Sequence, residues 1–133
     1  MRAAFSSSWL ASKRPNKQRK FRFNAPLHIK HTFLNAHLSK PLRTQYGKRS
    51  LPLRKGDEVL VMRGSFAKKQ AKVTSLILSS STVYLEGIQR SKKDGSKYNV
   101  PFNPRALMLV KLVDTDKRRL TSPKTSQPTQ AKQ

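Results

Sequence analysis

The sequence predicts a mostly β fold: a small closed barrel behind a basic N-terminal extension with two short helices, ending in a polar C-terminal tail. Three observations lead there. Residues 51–113 hold five short apolar stretches, several alternating with polar residues and separated by Gly, Asp and Pro turn signals. Short strands joined by tight turns close into a barrel of SH3-like type. Ahead of them, residues 1–56 carry 14 Lys and Arg and no acidic residue, Asp57 being the first. Behind them, residues 114–133 are polar, with little to pack.

The charge bounds the partner. The 133-residue chain has 29 Lys and Arg against 6 Asp and Glu, a formal charge of +23. Such an excess repels itself unless a polyanion balances it. Nucleic acid is the first candidate, an anionic membrane the second, an acidic protein the third. A solvated face normally mixes both signs, and this one does not. Cysteine is absent, which excludes disulfides and thiolate metal sites. No apolar run approaches the roughly 18 residues of a membrane span.

The extension divides into residues 1–23 and 24–50. Residues 1–13 are rich in Ala and Ser and free of acid, a composition shared with mitochondrial transit peptides. The expectation is a retained segment, with Trp9 docking in a protein groove rather than stacking on a base. In residues 14–23, Lys17, Arg19, Lys20 and Arg22 interleave with Phe21 and Phe23. Cations alternating with aromatics suit threading along a phosphate backbone, and so charged a segment is expected to order only on binding.

A short helix is predicted within residues 24–37, capped by Asn24 and with Pro26 in its first turn. Its apolar face would hold Leu27, His31 and Leu34. His28, His31 and His37 lack the cysteine or carboxylate partners of a metal site, so packing or RNA contact is the expectation. A second helix is predicted from Ser39, a candidate cap, through Pro41 to a stop at Gly47. Leu42 and Tyr46, four apart, would form its buried stripe.

The barrel spans residues 51–113. Val59 to Met62 forms one strand. Gly64 breaks it, since glycine takes positive φ and lets backbone approach a ligand closely. A basic loop follows, then a strand with Val73, Ser75 and Ile77 on one face. The third strand, 82–88, carries Val83 and Leu85, with Gly87 marking a bulge or bend. Asp94-Gly95 predicts a hairpin returning through Tyr98 to Val100, and residues 107–112 close the set. Asp57 and Glu58 read as turn residues at a strand start. No nucleophile–base pair, phosphate-binding Gly loop or metal spacing supports an enzyme, and no cofactor or small-molecule substrate is expected.

The pattern Gly56-Asp57-x-Val59-x-Val61-x-x-Gly64, followed after a basic loop by Lys72-Val73, resembles a KOW motif. It departs from that motif at Lys68 and Ala71, where the family has glycines. The flanks Phe23-Asn24-Ala25-Pro26-Leu27-His28-Ile29, Leu38-Ser39-Lys40-Pro41-Leu42-Arg43 and Tyr46-Gly47-x-Arg49-Ser50-x-Pro52-Leu53-Arg54-Lys55 extend the likeness. Together they resemble the large-subunit ribosomal protein family numbered twenty-four in bacteria and twenty-six in eukaryotes, in its eukaryotic and archaeal form. The resemblance runs from about Lys17 to about Leu120.

It implies a non-catalytic structural constituent bound to large-subunit rRNA near its 5′ domain. It also implies neighbouring ribosomal proteins, an early assembly role, a position near the peptide exit tunnel, and a cytoplasmic ribosome with nucleolar assembly in a eukaryote. The candidate RNA contacts in the extension are Arg14, Lys17, Arg19, Lys20, Arg22, Asn24, His28, Lys30, Arg43, Lys48 and Arg49. Those of the barrel are Arg54, Lys55, Arg63, Gly64, Ser65, Lys68, Lys69, Arg90, Lys92, Lys93 and Lys97. Lys117, Arg118 and Arg119 form a further basic cluster in the tail. The alternative is a KOW-type transcription or RNA-processing factor, which shares the barrel but leaves residues 24–55 unexplained.

Overall fold

The computed structural model describes residues 3–113 and 119–120. Three α-helices, α1 (Pro15–Asn24), α2 (Leu27–Phe33) and α3 (Lys40–Tyr46), accompany seven strands. The strands are β1 (Asn35–Leu38), β2 (Ser50–Pro52), β3 (Glu58–Val61), β4 (Gln70–Ile77), β5 (Thr82–Ser91), β6 (Lys97–Phe102) and β7 (Leu107–Lys111). Short 3-10 turns occupy Ser7–Ala11 and Pro104–Ala106.

The sheet order is β2-β1-β7-β3-β4-β5-β6. Ala36 and Leu38 from β1 and Leu51 from β2 lie in the same buried cluster as Phe102 from β6. Strands far apart in the order share one core, so the sheet rolls up, as an SH3-like barrel does. Val59, Val61, Leu107 and Leu109 sit at its centre, fully buried.

All five strands expected in residues 51–113 are present. Two were not expected. β1 follows α2 directly, pairs antiparallel with β2 and runs parallel to β7 through His37–Met108 and Leu38–Leu109. Its alternation is plain (Ala36 and Leu38 buried, Asn35 and His37 exposed), but four residues after a helix carry too little pattern to be separated from it.

Bulges correct the strand faces. A register shift between Val73 and Ser75 reverses the alternation in β4. Val73 stays buried, Leu76 packs on the core, and Ile77 turns outward at 40% exposure. In β5, Gly87 (φ 70) lies within the register shift between Tyr84 and Gln89, so Ile88 rejoins the buried set. Gly64 adopts φ 91, as its position at the strand break requires.

The helices also depart from expectation. Residues 14–23 do not form an extended thread: Pro15 opens α1, whose sequence contains no glycine or β-branched residue. Its anchor is Phe21, 3% exposed, stacked on Phe5 at 5.4 Å and edge-on to Phe33 at 6.1 Å. Asn24 ends α1 rather than capping α2, and its Nδ2 donates to the Ala4 carbonyl at 2.8 Å. In α2, Leu34 is buried at the C-terminal boundary, while Leu27 remains 62% exposed. Ser39 does precede α3, with Pro41 in the first turn and Gly47 at the end, but its hydroxyl makes no capping bond. Leu42 packs on the core and Tyr46 is half-buried.

Asp57 is far more than a turn residue. It is fully buried, and each carboxylate oxygen accepts two hydrogen bonds. Oδ2 takes the Arg54 N–H at 2.8 Å and Arg119 Nη1 at 2.7 Å; Oδ1 takes the Val113 N–H at 3.1 Å and Arg119 Nη2 at 3.2 Å. Arg119, read from the sequence as part of a basic cluster in the tail, is 7% exposed; Lys117, Arg118 and residues beyond 120 lie outside the described residues. Burying a carboxylate costs several kcal/mol, offset only when a guanidinium and further donors satisfy it.

The Asp94-Gly95 hairpin forms, with the Lys92 N–H donating to the Ser96 carbonyl at 2.8 Å. Asp94 accepts from the Ser96 hydroxyl and N–H, and these bonds hold its carboxyl below the ordinary carboxylate range.

Lys68 adopts φ 69, the left-handed region, where a side chain costs about 1–2 kcal/mol. Lys68→Gly should therefore raise stability by about 0.5–1 kcal/mol after the added freedom of the unfolded glycine is subtracted. A lower thermal midpoint for that variant would contradict the assignment. Asp57→Ala should lower the urea-unfolding free energy by about 3–5 kcal/mol, because it strands a buried guanidinium. Combining it with Arg119→Met should cost less than the two single losses added together; strict additivity would mean the pair is not coupled.

Candidate nucleic-acid interface

Two basic surfaces stand out, one at each part of the chain that the sequence singled out. The first is built on the loop between β3 and β4. The Lys68 N–H returns to the Val61 carbonyl at 2.8 Å and the Ala67 N–H to the Gly64 carbonyl at 3.1 Å, folding the loop into a compact turn. Phe66 plugs it, half-buried and edge-on to Phe102 at 6.0 Å. Two cations lie over the Phe66 ring, Arg90 at 5.2 Å and Lys69 at 5.4 Å. Arg90 Nη2 also donates to the Ser65 hydroxyl at 2.7 Å.

The structure thus gathers Ser65, Lys69 and Arg90 around one ring, with Arg63, Gly64 and Lys68 exposed on the same loop. Phe66 organises this rim and was not singled out from sequence. A lone aromatic inside a basic loop was the available signal.

The second surface is an open groove of about 840 Å³ between α1, α2, the turn after β4 and the Pro104–Ala106 turn. Arg19, Arg22, Lys30 and Arg105 line it, and no carboxylate does. Phe23 stands in it 81% exposed, beside Ser79, Ser80, Ser81 and Asn103. Arg105 was not anticipated, because Pro104 reads as punctuation between strands. Its backbone N–H donates to the Asn103 side chain at 3.0 Å, which fixes the turn that carries it.

The remaining sequence candidates separate by what their side chains already do. Arg14, Lys17, His28, Arg49, Lys55, Lys92, Lys93 and Lys97 are exposed. Arg19 bonds the Asn16 side chain within α1. Lys20 donates to the Ala3 carbonyl at 3.3 Å and lies 5.6 Å from the centre of the Trp9 ring. Gln18 Nε2 meanwhile donates to the carbonyls of Trp9 and Ser12 at 2.8 and 2.7 Å. Trp9 therefore docks within its own chain, against α1. Lys30 reaches the Ser79 carbonyl at 3.5 Å.

Three candidates are half-buried with donors engaged internally. Arg43 Nε donates to the Leu38 carbonyl at 2.8 Å, Lys48 to the Leu120 carbonyl, and Arg54 Nη1 to His31 Nε2 at 2.6 Å. Of these bonds, Arg54–His31 joins the extension to the barrel, Lys48–Leu120 ties the extension to the C-terminal segment, and Arg43–Leu38 lies within the extension. Among the described residues no group of three or more His, Cys, Asp or Glu could hold a metal ion.

Comparison with known proteins agrees with this geometry. The model of the family comprising the eukaryotic ribosomal proteins L26 and their archaeal L24 counterparts matches residues 12–122, covering helices, barrel and the Arg119 clasp alike. A curated relative, "Large ribosomal subunit protein uL24" of Methanosarcina barkeri (strain Fusaro / DSM 804), is 41% identical over 113 residues. That alignment covers 85% of this chain and 97% of the relative. The chain belongs to the family of eukaryotic ribosomal proteins L26 and archaeal ribosomal proteins L24.

Proposed function

We propose that this protein is a structural constituent of the large ribosomal subunit that binds rRNA without catalysis and supports assembly of the subunit. The observation that carries the reading is two basic surfaces, one of them a groove that no carboxylate lines, on a chain of net charge +23. The family consists of structural, non-enzymatic ribosomal proteins, and the similar archaeal protein is named for the large subunit. The proposal extends to a site in the ribosome of the cytoplasm, near the peptide exit tunnel and among neighbouring large-subunit proteins. In a eukaryote, assembly in the nucleolus would come first. A KOW-type transcription factor would share the barrel alone, whereas the family match begins at residue 12 and includes the whole helical extension.

The mechanism is phosphate neutralisation from a rigid scaffold. The rim around Phe66 offers Ser65, Lys69 and Arg90 in fixed relative positions, so little side-chain freedom is lost on binding. Helix α1 and the Arg14 that precedes it present Arg14, Lys17, Arg19 and Arg22 as a second set. The exposed lysines of the β5–β6 hairpin (Lys92, Lys93 and Lys97) reach a third segment of RNA. The deep, narrow major groove of A-form RNA shuts side chains out, so recognition rests on shape, backbone and the 2′-hydroxyls of the shallow minor groove. Lys68 stands where the family has glycine, so its side chain takes over a contact that backbone would otherwise make.

Each neutralised phosphate releases counterions. With six or more contacts, affinity for large-subunit rRNA should fall about 10³-fold or more between 50 and 200 mM salt. Arg105→Gln should reduce the salt slope by about one unit and leave the fold intact. Filter binding across a salt series measures both, and a salt-independent affinity would sink the proposal.

A further inference from the structure

The groove between α1 and the barrel has a composition that phosphate neutralisation alone does not explain. Phe23 is the most exposed large apolar side chain described, at 81%, yet four cations line the same groove. Arg19, Arg22 and Phe23 lie three and four residues apart on α1, so one helix face aims both guanidinium groups and the ring into the same space. Lys30 and Arg105 line it from other walls, and the hydroxyls of Ser79 to Ser81 and the amide of Asn103 supply neutral donors and acceptors.

We infer that this groove seats an unpaired nucleotide of the bound RNA, its base stacked on Phe23 and its flanking phosphates held by Arg19, Arg22, Lys30 and Arg105. Duplex RNA keeps its base faces inside the stack and offers an aromatic ring nothing to pack on. A splayed base offers a bare π-face, and aromatic side chains beside cations are how proteins take such bases. The volume of about 840 Å³ accommodates a nucleotide rather than a helix. The absence of any lining carboxylate fits a polyanion and disfavours a basic protein segment. The Asn103 amide oxygen accepts from the Arg105 N–H and the Ser80 hydroxyl bonds that of Thr82, which leaves the Asn103 NH2 and the hydroxyls of Ser79 and Ser81 as groups that could bond a base edge or the 2′-hydroxyl. This inference rests on the RNA-binding reading above and refines it.

The test compares the full chain with Phe23→Ala, Phe23→Trp and Arg22→Gln. Two probes carry the same number of phosphates: a single-stranded oligoadenylate and a fully paired RNA duplex. Phe23→Ala should weaken single-strand binding by about 5- to 100-fold, change duplex binding less than about twofold and leave the salt slope unmoved. Phe23→Trp should restore single-strand binding. Arg22→Gln should weaken both and lower the salt slope. Because Phe23 is solvent-exposed, its variants keep the fold, which circular dichroism verifies.

Equal single-strand affinity for wild type and Phe23→Ala overturns the inference while the RNA-binding reading stands. So does an equal loss on both probes. Wild-type protein that binds neither probe overturns the RNA-binding reading itself. Unchanged RNA affinities with loss of a neighbouring protein from the subunit would make the occupant a protein, and the inference would fail.

Discussion

One buried carboxylate holds the barrel to its surroundings. Asp57 immediately precedes β3, yet its side chain gathers the Arg54 backbone, the chain leaving β7 at Val113, and Arg119, 62 residues away in sequence. Its own backbone carbonyl accepts from the Val73 N–H, adding β4. A single acidic residue therefore closes the turn, the sheet and the C-terminal segment at one point. In a chain with so few carboxylates, placing one in the core is a strong commitment. It is tenable because both oxygens are doubly satisfied and the guanidinium approaches bidentately.

The cations divide accordingly. Arg119, Arg54, Arg43 and Lys48 turn donors inward, toward Asp57, His31 and the carbonyls of Leu38 and Leu120. Arg54 ties the extension to the barrel, Arg119 ties the C-terminal segment to it, and Lys48 joins the C-terminal segment to the extension. Apart from half-buried Lys30, the other cations among the described residues are exposed, and their mutual repulsion is relieved when a polyanion arrives. Phe66 and Phe23 sit among these outward cations in contrasting ways. Phe66 is half-buried and serves as a platform for Lys69 and Arg90. Phe23 is bare and open to a ligand.

Local chemistry was legible in the sequence. The five strands of residues 51–113, the break at Gly64, the bend at Gly87, the Asp94-Gly95 hairpin and the stop at Gly47 each depend on a few adjacent residues. Most of the misses depended on partners distant in sequence. β1 is four residues whose strand character comes from β2 and β7. The role of Asp57 needed Arg119. The helix α1 was hidden because its charge suggested a thread, while its stability comes from Phe21 packing on Phe5 and Phe33. The candidate surfaces were half legible: clustered cations pointed to them, but Phe66 and Arg105 belong to them through folding alone.

The most direct test of the central claim is sedimentation of cell extract on a density gradient, with fractions probed for this protein before and after a high-salt wash. Co-migration with the large subunit and with whole ribosomes, surviving moderate salt, is the predicted result. Migration with RNA polymerase, or retention at the top of the gradient, would contradict it.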